Sequence, residues 1–160
     1  MATIETQRTG NGRRVAAIVS RFNHPVSSRL LDGCTARLEE RGCTDVDVLW
    51  VPGAFELPLA AQAAAETGRY DAIVVLGAVI RGGTPHFDYV CRAVTDGVRS
   101  VNLATGVPVA FGVLTTDTPE QALERAARPG ESGQNIGAEA VDVALEMAGL
   151  LDALSQEPAS

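Results

Sequence analysis

The chain is expected to adopt an α/β fold of three layers, α/β/α, around a four-stranded parallel sheet. Four short apolar runs, Val15 to Val19, Val46 to Val51, Ala72 to Val79 and Val107 to Leu114, have the length and β-branched content of strands buried on both faces. Each is followed by a segment of helical periodicity, and strict strand and helix alternation calls for a parallel sheet with helices on both sides, of the flavodoxin-like kind. At 160 residues the chain is expected to be one domain, long enough to bury about two thirds of its unfolded surface.

Taken in order, Met1 to Gly12 read as an N-terminal arm, set off from the first strand by Gly10-Asn11-Gly12. Thr3 to Thr6 have strand-like composition but no obvious place in their own sheet, so the edge of a neighbouring subunit's sheet is the expected destination. Helices are expected over Pro25 to Arg41, Glu56 to Thr67, Pro85 to Leu103, Pro119 to Ala127 and Ile136 to Leu154. The fourth is the best marked: Thr118 can cap it, Pro119 suits its first position and Gln121 completes a capping box. Ser155 to Ser160 read as a frayed tail.

Composition removes several functions. The formal net charge of −7 argues against nucleic-acid partners and anionic membrane surfaces, both of which need basic patches. The N-terminus lacks a charged start followed by an apolar run, and a cytoplasmic location is expected. Cys34, Cys43 and Cys91 show no paired spacing and are expected to be small core residues rather than a metal site or a disulfide framework. All 13 basic residues are arginines. A Schiff base on a lysine side chain is therefore excluded, as is the lysine-dependent chemistry of phosphorelay receivers.

In a parallel sheet the strands end on one edge, and four strand-end loops here are rich in chemistry. Gly82 and Gly83 allow backbone to approach a ligand, Thr84 is a favoured N-cap and Pro85 a favoured first helical residue. Free N–H groups at such a helix start attract phosphate, and His86 in the first turn puts an imidazole, a proton-transfer group, beside it. Phe22 either staples the helix that follows it or offers a flat face to a planar heterocycle, with Asn23 placed to hydrogen-bond nearby. Glu56 either favours a helix dipole or accepts hydrogen bonds from a polyol. Arg81 and Arg125 are the arginines in reach of an anion, although Arg125 also suits the end of its helix. Phe111 alone reads as a core residue, and His24 as loop material.

Together these loops resemble lumazine synthases of the riboflavin pathway. The likeness spans nearly the whole chain and rests on Arg21-Phe22-Asn23, Val51 to Pro58, Leu76 to Val90, Pro108 to Thr116 and Glu120 to Ala126. It implies condensation of 5-amino-6-ribitylaminouracil with 3,4-dihydroxy-2-butanone 4-phosphate, losing phosphate and water, with no metal and no organic cofactor. The imine of that reaction uses the substrate's own amine, so the absent lysine is no obstacle. By the same resemblance Phe22 stacks on the pyrimidine, Ala54, Phe55 and Glu56 hold the ribityl chain, and Ala78, Val79 and Ile80 present backbone to the ring edge. Gly83, Thr84 and Arg125 bind phosphate, His86 transfers protons, and Phe111 comes from the adjacent subunit of a pentamer. The long glycine-bearing connection from Arg125 to Asn135 resembles insertions that disfavour larger shells, so a free pentamer is expected.

One block departs from the pattern. Where the family carries Asn-Lys-Gly, this chain has Asn135-Ile136-Gly137. Three readings follow: Arg128 supplies the missing cation, the heterocycle binds more weakly, or the substrate differs. The alternative to a synthase is accordingly a weak or inactive paralogue that binds lumazine or riboflavin or acts on a related substrate.

Overall fold

The computed structural model describes residues 1–156. Strands β1 (Arg14–Ser20), β2 (Asp45–Val51), β3 (Ala72–Ile80) and β4 (Val109–Thr116) form a parallel sheet in the order β2-β1-β3-β4. Five helices, α1 (His24–Glu40), α2 (Leu57–Glu66), α3 (His86–Thr105), α4 (Pro119–Glu124) and α5 (Ile136–Ser155), connect or follow them. The expected flavodoxin-like α/β arrangement is therefore present. β1 pairs with β2 from Arg14 opposite Asp45 to Ser20 opposite Val51, and with β3 from Val15 opposite Ala72.

Burial follows from that order. β1 and β3 lie inside the sheet, and alternate residues face opposite layers. Val15, Ala17 and Val19 pack with Leu30, Cys34 and Leu38 of α1 and Val141 and Leu145 of α5. Ala16 and Ile18 face Leu57 and Ala61 of α2 and Val94, Val98 and Val101 of α3. Each large side chain fully removed from water contributes about 1.5–3 kcal/mol, which is why these two strands are nearly pure apolar sequence.

Several boundaries differ from expectation for identifiable reasons. β2 is an edge strand rather than a buried one, and Val48, Leu49 and Trp50 remain over a third exposed. β4 begins at Val109, not Val107, because Asn102 folds back on it: Val109 N–H donates to Asn102 Oδ1 at 2.7 Å and Asn102 Nδ2 donates to Val109 O at 3.0 Å. α2 is preceded by a separate 3-10 turn over Ala54–Glu56. α4 has its capping box but stops at Glu124, since Ala126 pairs with Asn135 and Ala127 N–H donates to Gln134 O. Residues 126–135 thus form a small hairpin. α3 starts at His86 after Pro85, and no side chain caps it, so Thr84 does not act as its N-cap.

The N-terminal arm has no strand at Thr3 to Thr6 within this chain. It crosses α5, tied by Arg8 to Glu146 at 2.8 Å and Arg13 to Asp152 at 2.6 Å. Gly149 makes the crossing possible, since a β-carbon there would lie 3.2 Å from Gln7 O. Of the expected frayed tail, Ser155 closes α5, and residues 157–160 lie outside the described residues.

Candidate active site

The strand-end loops do converge. The chain leaving β1 continues to pair sideways with the chain leaving β2: Arg21 N–H donates to Val51 O at 2.8 Å and Phe22 N–H to Pro52 O at 3.0 Å. Asn23 then turns into the left-handed region (φ 59°, ψ 42°), and its Nδ2 donates to Ala78 O of β3 at 2.8 Å. Phe22 is 71% exposed, so it is not a staple on α1 but an open aromatic face.

After β2, Gly53 is extended and the 3-10 turn brings Glu56 back toward it. A β-carbon on Gly53 would stand 3.2 Å from Glu56 Oε2 and 3.9 Å from Phe22 Cβ, so the glycine leaves a gap between ring and carboxylate. Beyond β3, β-carbons added to Gly82 or Gly83 would meet no protein atom within 4 Å. The backbone there is open to a ligand. Thr84, released from capping, and His86 stand beside it.

A cleft of about 640 Å³ unites these loops. It is lined by Phe22, Asn23 and Gly53 through Glu56 on one side, and by Ala78, Val79, Ile80, Gly82, Thr84 and His86 on the other. Phe87 and Val90 of α3 complete it; neither stood out in the sequence, although both lie within four residues of His86. Ala54, Ala78 and Val79 are buried walls, whereas Phe55, Glu56, Thr84 and His86 are exposed. An aromatic platform, a carboxylate, open backbone at a helix start and an imidazole can hold a planar ring with a polyol chain beside an anion and move a proton between them.

Of the expected residues, Gly83 is not among those lining the cleft, although Gly82 and Thr84 on either side of it are, and two others lie elsewhere in the chain. Arg125 lines a second cleft, of about 500 Å³, with Arg81, Thr115, Thr116 and Ile136; Phe87 belongs to both. Its Nη1 donates to Gln121 O at 2.9 Å, which fastens the end of α4, and Glu124 is 3.7 Å away. Phe111 lies on a third surface, a groove shared with Thr95, Val98 and Leu103. Within one chain, therefore, neither reaches the cleft that holds His86. Arg81 is occupied by Asp117 at 2.8 Å and Asp88 at 3.7 Å and lies 4.4 Å over the Phe87 ring. His24 stacks on Trp50 at 5.7 Å.

The departing block is clear in outline. Asn135 caps α5 by accepting from Ala138 N–H at 3.0 Å, and its amide donates to Arg29 O at 3.0 Å and Ala127 O at 2.8 Å. Gly137 passes close against Leu30 O, where a β-carbon would clash. Residues 135 and 137 are thus fixed by packing, and Ile136 faces the Arg125 cleft. Arg128 is not among the residues lining that cleft, and its Nε is bound to Asp32 Oδ2 at 2.8 Å on α1.

The three thiols are free. Burial, reinforced by Cys43, pushes Cys34 up to about 12, and burial also raises Cys43 and Cys91. None is poised as a nucleophile at neutral pH. Among the described residues no helix is long and apolar enough to cross a membrane.

Fold and cleft define an α/β protein of flavodoxin-like topology with an open cleft outside the carboxyl ends of its strands. Residues 12–152 match the model of the 6,7-dimethyl-8-ribityllumazine synthase family, and the chain belongs to that family. Its members are transferases of riboflavin biosynthesis.

Proposed function

We propose that this chain is an active 6,7-dimethyl-8-ribityllumazine synthase that condenses 5-amino-6-ribitylaminouracil with 3,4-dihydroxy-2-butanone 4-phosphate, releasing phosphate and water. The observation that carries the reading is the convergence of Phe22, Glu56, Ala78 to Ile80, Thr84 and His86 on one cleft. Phe22 stacks on the pyrimidine, the turn at Ala54, Phe55 and Glu56 takes the ribityl hydroxyls, and backbone at Ala78, Val79 and Ile80 meets the ring edge. Gly83 and Thr84 take the phosphate of the second substrate. His86 relays protons as the substrate's amine adds to the ketone, as water leaves to give the imine, and as phosphate departs. Holding the two reactants together accounts for several kcal/mol of the barrier, and the imidazole for about a hundredfold or more.

Arg125 and Phe111 join this site from the adjacent subunit. The support is their position on surfaces apart from the His86 cleft, toward the β4 edge, while Phe22 and Phe55 stand exposed on the other side. Unlike surfaces that meet head to tail form a ring where the rotation between neighbours closes, and the family resemblance favours a ring of five. Ile136 favours a second reading: an apolar side chain beside Arg125, with Arg128 tied to Asp32, suits a paralogue of reduced activity or a related substrate.

Steady-state formation of the lumazine chromophore from both substrates separates the readings. The synthase reading expects product from the unaltered protein and losses of about a hundredfold in kcat for His86→Ala. A folded protein that binds lumazine and forms none identifies the paralogue.

A further inference from the structure

Phe22 is the aromatic face of the cleft, yet at 71% exposure little of the protein covers it. Its backbone is held instead from both flanks. Toward β2 its own N–H donates to Pro52 O, and toward β3 the side chain of the next residue, Asn23, donates from Nδ2 to Ala78 O at 2.8 Å. Between those anchors Asn23 takes φ 59°, and among the described residues no other non-glycine residue has positive φ. Asparagine tolerates that region better than most residues. From there its carbonyl accepts from Val26 N–H at 2.9 Å and Ser27 N–H at 3.0 Å, which starts α1.

Strain of this kind at the lip of a cleft points to function when the surroundings over-determine it, as three separate hydrogen bonds do here. We infer that Asn23 is a positioning residue: its amide is committed to the Ala78 carbonyl, and the clamp so formed sets the angle of the Phe22 ring for stacking on a planar heterocycle. A direct hydrogen bond from the Asn23 amide to the ligand is the role it replaces. The inference rests on the reading of the cleft as a heterocycle site. Its clamp component is independent of ligand.

The test uses the full chain labelled with fluorophenylalanine, whose four phenylalanines give separable fluorine signals. Asn23→Gly keeps the left-handed turn and removes the amide; Asn23→Asp keeps the shape and cannot donate, and it carries the test should the glycine variant not fold. Either variant is expected to move and narrow the Phe22 signal while the other three stay in place. A Phe22 signal unchanged from wild type overturns the inference. With 6,7-dimethyl-8-ribityllumazine as the fluorescent probe, each variant should weaken binding about fivefold in the wild-type background and hardly at all with Phe22→Ala, because stacking is what the clamp serves. Equal losses in both backgrounds mean direct contact and also overturn it. Should the wild-type protein bind no lumazine, the functional reading fails, and the fluorine signal alone decides the clamp.

Discussion

Gly83, His86 and Ile136 are the positions at which single substitutions test the proposed chemistry. A β-carbon at Gly83 would have open space around it beyond its chain neighbours, so Gly83→Val should leave thermal unfolding nearly unchanged. It should nevertheless raise KM for the phosphate-bearing substrate about tenfold, by blocking charge-assisted bonds to backbone. Equal KM values would remove the phosphate from this loop. Ile136→Lys places a cation in the Arg125 cleft and should lower KM for the pyrimidine, measured at saturating phosphate substrate; a rise would show that the apolar residue suits a different ligand. That His86 and Phe22 lie at strand ends lining a cleft was legible in the sequence, because a strand end followed by a helix start can be read locally. The engagement of the Asn23 amide was not, since Ala78 lies 55 residues away and only the pairing of β1 with β3 brings its carbonyl alongside.

Elements show the same division between local and distant causes. β1 and β3 could be read from sequence because strands buried on both faces are uninterrupted apolar runs. β2 opens on Asp45 and is interrupted by Asp47, its exposed Val48, Leu49 and Trp50 belong to an edge, and a single sequence does not distinguish a covered face from one awaiting a partner. α4 was read too long because Ala126 and Ala127 favour helix, whereas hydrogen bonds to Asn135 and Gln134 hold them in a hairpin. That hairpin is pinned to α1 by Arg128 with Asp32 and by Arg29 with Glu131 at 2.9 Å. The Arg128 N–H, then the Arg29 guanidinium, hold Glu131 below the usual carboxylate range. Because the folded value is the lower one, this anchoring is complete above the unfolded glutamate's value and is lost as pH falls through the folded value. Hydrogen exchange at the Arg128 amide, corrected for intrinsic rate, should be flat from neutral pH down and rise below about pH 4. Glu131→Gln should abolish that rise. At the other end of the hairpin, Asn135→Ala strands two carbonyls and an N–H, and denaturant titration should show a loss of about 1–3 kcal/mol.

At the scale of the whole molecule, one chain offers an open cleft lined by His86 and keeps Arg125 and Phe111 on surfaces apart from it, so the proposed site is incomplete without a neighbour. Exposed apolar groups stand at both edges of the sheet, Trp50 on β2 and Phe111 on β4. In the proposed pentamer such unlike edges meet head to tail, and sedimentation should report about five times the 16.7 kDa chain mass. A monomer at micromolar concentration, or a megadalton shell, would contradict that ring. The most direct measurement is complementation: His86→Ala and Arg125→Ala chains are co-expressed in equal amounts, and lumazine formation by the mixed assemblies is compared with each variant alone. A site shared between neighbours leaves about a quarter of the interfaces with both residues intact, so roughly a quarter of wild-type activity should return. Mixed assemblies no more active than the separate variants, from a wild-type protein that makes lumazine, would contradict the account.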